Sequence, residues 1–336
     1  MPGESAQARA VKGEGADARL AKGESADARL VKGASAPRVL CAGIIVLDEV
    51  FRVDEFPRND GKVEAKAFFA VNGGCAANAA VAVARLGGRA VLAGPLGGPA
   101  GTDENGDRVL AALAREAIET SACQRVDGLA TALSAIFINA RGERTIVTYR
   151  DKRIAAVTPR EPELLPGVAD IVLADNRLPQ FVRPICEAAR HEKLRVVLDA
   201  DKATVEDDPL FGIATHVIFS AECLAASSGQ TDLAEGLRVI ARHTAAFLAV
   251  SNGPDDIVYL DGGVVRRVPV FQVRAVDTLG AGDALHGGFA LALAEGQSEA
   301  EALRFGAAVA SLKCARIGGS GGTPARPEVE ALLAGS

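Results

Sequence analysis

From residue 171 onward the chain repeats one rhythm. Short apolar runs at 171–174, 195–198, 217–219 and 246–250 alternate with polar turns and with helical patterns over 180–191 and 231–243. A strand covered on both faces shows no alternation of apolar and polar residues, so such runs read as strands of a parallel sheet. Parallel neighbours need a crossover, and a crossover helix buries its apolar stripe against one face of the sheet. The rhythm therefore predicts a doubly wound α/β fold, a mainly parallel sheet with helices on both sides. In open sheets of this type ligands gather beyond the carboxyl ends of the strands.

The first strand is expected over 38–48, a continuous apolar run that would place Asp48 at that edge. Residues 49–56 and 62–71 alternate, as half-exposed strands would, and 131–139 with 144–149 reads as a hairpin turning at Arg141-Gly142-Glu143. A second hairpin is expected from 256–260 with 264–270, and helices near 284–295, 299–314 and 326–334 close the chain. With 336 residues, 49% of them apolar, a large core is available. A net charge of −6, 4% aromatic residues and no Trp give neither a basic field nor stacking platforms, so nucleic acid is not expected as a partner. No window reaches the ~18 apolar residues of a membrane span. Six cysteines without a C-x-x-C pair and four histidines without ligand spacing read as reduced thiols and isolated imidazoles. A cytoplasmic protein is expected. Residues 3–32 repeat a ten-residue unit, Gly-Glu-Ser-Ala-Asp-Ala-Arg-Leu-Val-Lys in its third copy. The unit has few large apolar side chains, so 1–37 is expected to be a disordered or helical tail beside a domain over 38–336.

Two glycine-rich helix starts carry the chemistry. Asn72-Gly73-Gly74-Cys75-Ala76-Ala77-Asn78 runs into a helix expected over 79–86, and Asp277-Thr278-Leu279-Gly280-Ala281-Gly282-Asp283 runs into the helix near 284. The first amides of a helix lack intrahelical acceptors and carry partial positive charge, so Gly280, Ala281 and Gly282 could hold phosphate oxygens. Asp283 would then stand beside an anion site as a general base, or it is simply a carboxylate at a helix start. A dinucleotide G-x-G-x-x-G, a G-x-x-x-x-G-K-[ST] loop and a G-x-S-x-G elbow are all missing.

Residues 72–88 and 277–283 resemble the two signatures of the ribokinase-like (PfkB) sugar kinases, in the family's order and spacing, over about 38–330. The resemblance implies an ATP-dependent phosphotransferase with a small β-lid, built from strands in 49–71 and 131–149, that also serves as a homodimer contact. It implies Asp283 as catalytic base, with Gly280, Ala281 and Gly282 as anion hole. Asp48, Gly74 and Asn78 would hold sugar hydroxyls. Ser220, Ser251, Gly253 and Gly318 would face the nucleotide, and Mg²⁺ would arrive with ATP. Asp277 and the Leu279 carbonyl match a place for a monovalent cation such as K⁺.

The chain departs from the family's N-x-x-E motif, showing Ser220-Ala221-Glu222-Cys223, so Glu222 stands one residue early for the Mg²⁺ water shell. Asp-Thr-Leu-Gly-Ala-Gly-Asp with His286, and Leu-Lys-Cys before Arg and Gly-Gly, are similar to sulfofructose kinases, which phosphorylate O1 of 6-deoxy-6-sulfofructose. Lys62 matches a lysine that meets the sulfonate there, and Arg177 is a second cation by position. Each reads equally as an ordinary surface charge, and Asp127 would oppose a sulfonate. Ribokinase, fructokinase and ketohexokinase activities stay open. A nucleoside kinase and a non-catalytic sugar-binding protein are the remaining readings.

Overall fold

The structure is a computed structural model, and it describes residues 35–58 and 60–335. The repeat at 3–32 lies outside the described residues. The chain begins with β1 (Arg38–Ala42), β2 (Val46–Arg52) and β3 (Ala67–Gly73), followed by α1 (Cys75–Arg85). Next come β4 (Arg89–Ala93), β5 (Pro95–Gly98), α2 (Glu104–Arg115) and β6 (Gln124–Asp127). The hairpin β7 (Ala132–Ile138) and β8 (Arg144–Tyr149) then precedes β9 (Ile171–Asp175), α3 (Pro179–His191), β10 (Arg195–Ala200) and α4 (Pro209–Ile213). After β11 (His216–Ser220) lie α5 (Ala221–Ser228), α6 (Leu233–Ile240), β12 (Phe247–Asn252), β13 (Asp255–Asp261) and β14 (Val264–Val268). Helices α7 (Ala281–Ala294), α8 (Glu299–Cys314) and α9 (Arg326–Ala334) complete it.

The principal sheet has the order β14-β13-β12-β11-β10-β9-β1-β4, parallel from β4 to β12 and antiparallel over the last two pairs. Along β1, Val39 and Cys41 enter the core shared with α1, α2, α7, α8 and α9, whereas Leu40 and Ala42 enter the one shared with α3 to α6. Both faces are covered, which is why these strands read as unbroken apolar runs. The expected doubly wound architecture is present. Strand order reverses between β1 and β9, and that switch point opens a crevice at the carboxyl ends of the strands.

The expected single strand over 38–48 is corrected: it is two strands in two sheets. The chain leaves the principal sheet at Gly43, whose φ is +152°, and a Cβ there would lie 1.9 Å from Asp175 Oδ2. Only glycine lets the backbone pass so close. Beyond it, β2 joins a second sheet of order β3-β2-β7-β8, so Asp48 rides on the second sheet and not on the principal one. The expected strand at 62–71 begins only at Ala67, and 61–66 is exposed irregular chain. Helix α1 begins four residues before the expected 79, and α4, α5, β5 and β6 were not expected.

Helices α1, α7 and α8 are rich in Ala and Gly because their backbones nearly touch. A Cβ on Gly287 would come within 2.7 Å of the Ala79 carbonyl, and one on Gly306 within 2.7 Å of the Leu285 carbonyl. This packing fixes the starts of α1 and α7 side by side at the crevice.

Candidate active site

At the start of α7, Gly280 takes the left-handed conformation, φ +76°, where other residues are strained. The amides of Gly282 and Asp283 find no acceptor among the described residues, the ordinary state of a first helical turn. Asp283 Oδ2 accepts a hydrogen bond from Asn78 Nδ2 at 2.7 Å, a contact across 205 residues. The two glycine-rich helix starts therefore meet through the side chains singled out in each. A Cβ on Gly280 would lie 3.3 Å from Asn78 Nδ2, so that glycine also keeps room for the pair. Asn78 Oδ1 is buried without a partner. Loss of solvent, helped by the charge of Asp201, raises the Asp283 carboxyl above its ordinary value despite the hydrogen bond from Asn78.

Asp48 reaches the same crevice from the second sheet. It is buried and occupies the space that a side chain on Gly73 would fill, 2.0 Å from the position of a Cβ there. Burial pushes its carboxyl up to about 6, offset in part by a hydrogen bond to Ser134 and raised further by the charge of Asp283. Gly74, φ +90°, starts α1 where a Cβ would meet the Ile44 carbonyl at 2.4 Å.

The floor of the crevice is acidic. Asp175 and Asp201 stand at the ends of β9 and β10, and an oxygen of Asp199, one of Asp283 and Cys75 Sγ lie within 4.8 Å of one another. Asp201 is taken by Arg177, whose Nε donates at 2.7 Å and whose terminal nitrogen makes a second, shorter contact. His286 Nε2 lies 3.3 Å from the Ile218 carbonyl and so carries a proton, which leaves Nδ1 facing Asp199 Oδ2 at 3.4 Å. Burial raises the Asp199 carboxyl well above its ordinary value and lowers the His286 imidazole, so it disfavours the charged form of each, and Nδ1 has no hydrogen-bond partner. Asp199 Oδ1 is buried and unpartnered. The sequence reading passed over Asp199, Asp201 and Arg150. Arg150 follows β8, its Nε is buried without a partner, and it lies among Asp48, Asp175, Asp201 and Arg177. The one available signal was the pair of carboxylates directly after the strand at 195–198.

On the other side of the α7 start lies a cavity of about 550 Å³, lined by Ser220, Ser251, Gly253, Phe271, Ala281, Gly282 and Cys314 among others. Its size and mixed lining suit an organic ligand. A second cavity, about 580 Å³, lies between the far end of β12 and the start of α8 and holds none of the expected site residues. Ser220, Ser251 and Gly253 line the first of these cavities.

Other expected residues fall elsewhere. Gly318 does not line the cavity; its amide and that of Gly319 donate to Asp277 Oδ2 at 3.0 and 2.9 Å. Glu222 is exposed on the first turn of α5 and does not line the cavity either. Lys62 is exposed in the irregular stretch before β3, and Arg177 is already neutralised by Asp201. Asp277 and Leu279 do not fit a metal cation. Lys313 Nζ lies 2.8 Å from the Asp277 carbonyl and 3.3 Å from its Oδ2, and the Leu279 amide donates to Oδ1 at 2.9 Å.

The two glycine-rich helix starts thus share one hydrogen bond, and the α7 start also borders a cavity of about 550 Å³. The model of the pfkB family carbohydrate kinases matches residues 36–326. The chain belongs to this family. It is therefore a carbohydrate kinase, an ATP-dependent phosphotransferase. Among curated relatives, Ribokinase of Bacillus subtilis (strain 168) is 30% identical over 301 residues, 88% of this chain and 99% of that protein. Ketohexokinase of Mus musculus is 26% identical over 298 residues, 84% and 98% of the two chains. Among solved structures, that of a presumptive ribokinase from Agrobacterium tumefaciens superposes with a TM-score of 0.85 at 38% identity, covering 89% of this chain and 98% of that one. No helix among the described residues is long and apolar enough to cross a membrane.

Proposed function

We propose that this pfkB-family kinase transfers the γ-phosphoryl group of ATP to a hydroxyl of a ketose, with Asp283 as general base. The observation that carries this reading is the 2.7 Å bond from Asn78 to Asp283 at the junction of crevice and cavity. Asp48 and Asn78 hold sugar hydroxyls, and Gly74 lets α1 start close enough for them to do so. Asp283 takes the proton of the attacking hydroxyl, and its raised carboxyl makes it a better acceptor near neutral pH than an exposed aspartate. The free amide of Gly282, with Gly280 and Ala281 shaping the turn, receives the charge of the transferring group. Ser220, Ser251 and Gly253 line the nucleotide side.

Mg²⁺ fits this site as a guest of the nucleotide. It retains water and phosphate ligands, and the unpartnered Oδ1 of Asp199 gives its hydration shell an acceptor. When bound, the ion neutralises phosphate oxygens. Among the described residues, no set forms a complete cage for it.

The finer reading of the substrate is 6-deoxy-6-sulfofructose, phosphorylated at O1. Arg150 supports it better than Lys62 or Arg177, because a buried guanidinium nitrogen without a partner beside Asp48 suits an anionic substituent. The second reading is a neutral sugar such as ribose or fructose, in keeping with the names of the relatives and with the surplus of carboxylates around Arg150. ADP release over a panel of sulfofructose, fructose, fructose phosphates and ribose separates them. Sulfofructose is expected to lead, with Arg150→Ala losing more on it than on fructose. Preference for ribose or fructose, with equal losses on both sugars, refutes the anionic substrate.

We also propose a homodimer through the second sheet. Its outer face packs Phe51 between a tilted Phe68 and a stacked Phe137, at centroid distances of 4.9 and 5.5 Å, and leaves Phe68, Val147 and Tyr149 more than half exposed. An apolar face of this extent is characteristic of an interface.

A further inference from the structure

The resemblance implies a monovalent metal ion at Asp277, and the residues there already hold a cation of their own. Lys313, on the last turn of α8, is wholly buried, with no exposed surface at all. Its ammonium donates to the Asp277 carbonyl at 2.8 Å and stands 3.3 Å from Asp277 Oδ2. The carboxylate is otherwise occupied by three amides, Leu279 on Oδ1 and Gly318 and Gly319 on Oδ2. A buried charge persists only when paired, and here each partner supplies the other's counter-charge. Burial would raise the Asp277 carboxyl, but the Lys313 charge and the amides hold it below its ordinary value.

The place of the pair in the chain gives it a function. Asp277 stands three residues before Gly280, at the root of the turn whose amides form the proposed anion hole. Gly319 begins a short 3₁₀ turn whose Ser320 hydroxyl donates to the Asn72 carbonyl at 3.1 Å, so the same cluster reaches the root of the α1 start. One ammonium thus ties together the end of α8, the turn before α7 and, through Ser320, the segment before α1.

We infer that Lys313 is a tethered monovalent cation, a positioning residue that organises the anion-hole turn and makes this kinase independent of added K⁺. The inference rests on the kinase reading for its rate measurement but not for its stability measurement. A second, free cation at Asp277 would meet the ammonium at short range and find no unoccupied carboxylate oxygen.

Two measurements test it. Wild-type ADP release, with the best sugar of the panel, is expected to agree within about twofold in choline chloride and in KCl at matched ionic strength, and the melting temperature to coincide in the two salts, because an ion that does not bind the native state cannot stabilise it. Activation by K⁺ of more than about fivefold, or a K⁺-specific rise in melting temperature, overturns the inference. Lys313→Ala vacates the place. Its turnover is expected to fall at least about tenfold in choline and to recover in ammonium or potassium chloride, with a melting temperature that now rises with either ion. A folded variant as active as wild type in choline, or one that neither ion restores, also overturns it. If the variant does not fold, the wild-type comparison decides alone. If no sugar elicits ADP release, the kinase reading fails, and the melting curves still decide the role of Lys313.

Discussion

Asp48 is the residue whose replacement separates stability from function most cleanly. Its carboxyl is 6% exposed and titrates at about 6 in the folded protein, against an ordinary value of 3.8. A carboxyl raised in this way contributes stability while protonated, and that contribution is lost as pH rises through about 6. Ionised above that pH, it costs the native state about 3 kcal/mol, the shift of roughly two units converted at 1.36 kcal/mol each. At pH 5 the native group is mostly protonated, and the same linkage leaves a cost of only about 1.5 kcal/mol. Asp48→Asn keeps the shape beside Gly73 and can keep the bond to Ser134, so it removes the charge and little else. The variant is expected to be more stable than wild type by about 3 kcal/mol at pH 8 and by half that at pH 5, a gain of ~5 °C in melting temperature at the higher pH. Urea titrations of both proteins at the two pH values measure it. A gain that does not depend on pH, or a loss of stability at pH 8, refutes the reasoning. The KM for the sugar should rise in the same variant, because the residue that strains the fold is the one proposed to grip the substrate.

Asp283→Asn should lower turnover by about 10²–10⁴ while nucleotide affinity stays nearly unchanged, since the amide oxygen can still accept from Asn78. ADP release and calorimetric titration check the two halves, and activity within threefold of wild type would remove Asp283 as the base. Phe68→Glu places a charge on the exposed aromatic face and should convert a dimer into a monomer by light scattering. A wild-type protein that is already monomeric at micromolar concentration ends the dimer proposal.

The strand and helix rhythm was legible because each strand of the principal sheet is covered on both faces, which leaves unbroken apolar runs in the sequence. Both glycine-rich helix starts were legible for a local reason as well: Gly74 and Gly280 take backbone conformations that other residues avoid. What could not be read was long-range. Nothing within 38–48 says that the strand must break at Gly43, because the cause is the Asp175 carboxylate, far along the chain, which accepts the Ile44 amide at 2.7 Å. Lys313 was hidden by its position. A lysine in the last turn of a helix is commonplace as a partner for the helix dipole, and only the tertiary structure turns it inward onto Asp277. Arg150 carried no local signal either, since the end of a hairpin is an ordinary place for a surface arginine.

The break at Gly43 bears on fidelity. On the proposed roles, the carboxylate that grips a sugar rides on β2 of the second sheet, and the carboxylate that deprotonates it stands at the start of α7, which packs on the principal sheet. A sugar that engaged both would couple the second sheet to the α7 start. A water molecule beside Asp283 would engage the α7 start alone. On those roles, idle hydrolysis of the nucleotide would compete against an occupant that unites the two halves of the site. Gly43, which is assigned no contact with either reactant, is where the chain passes from the principal sheet to the sheet that carries Asp48.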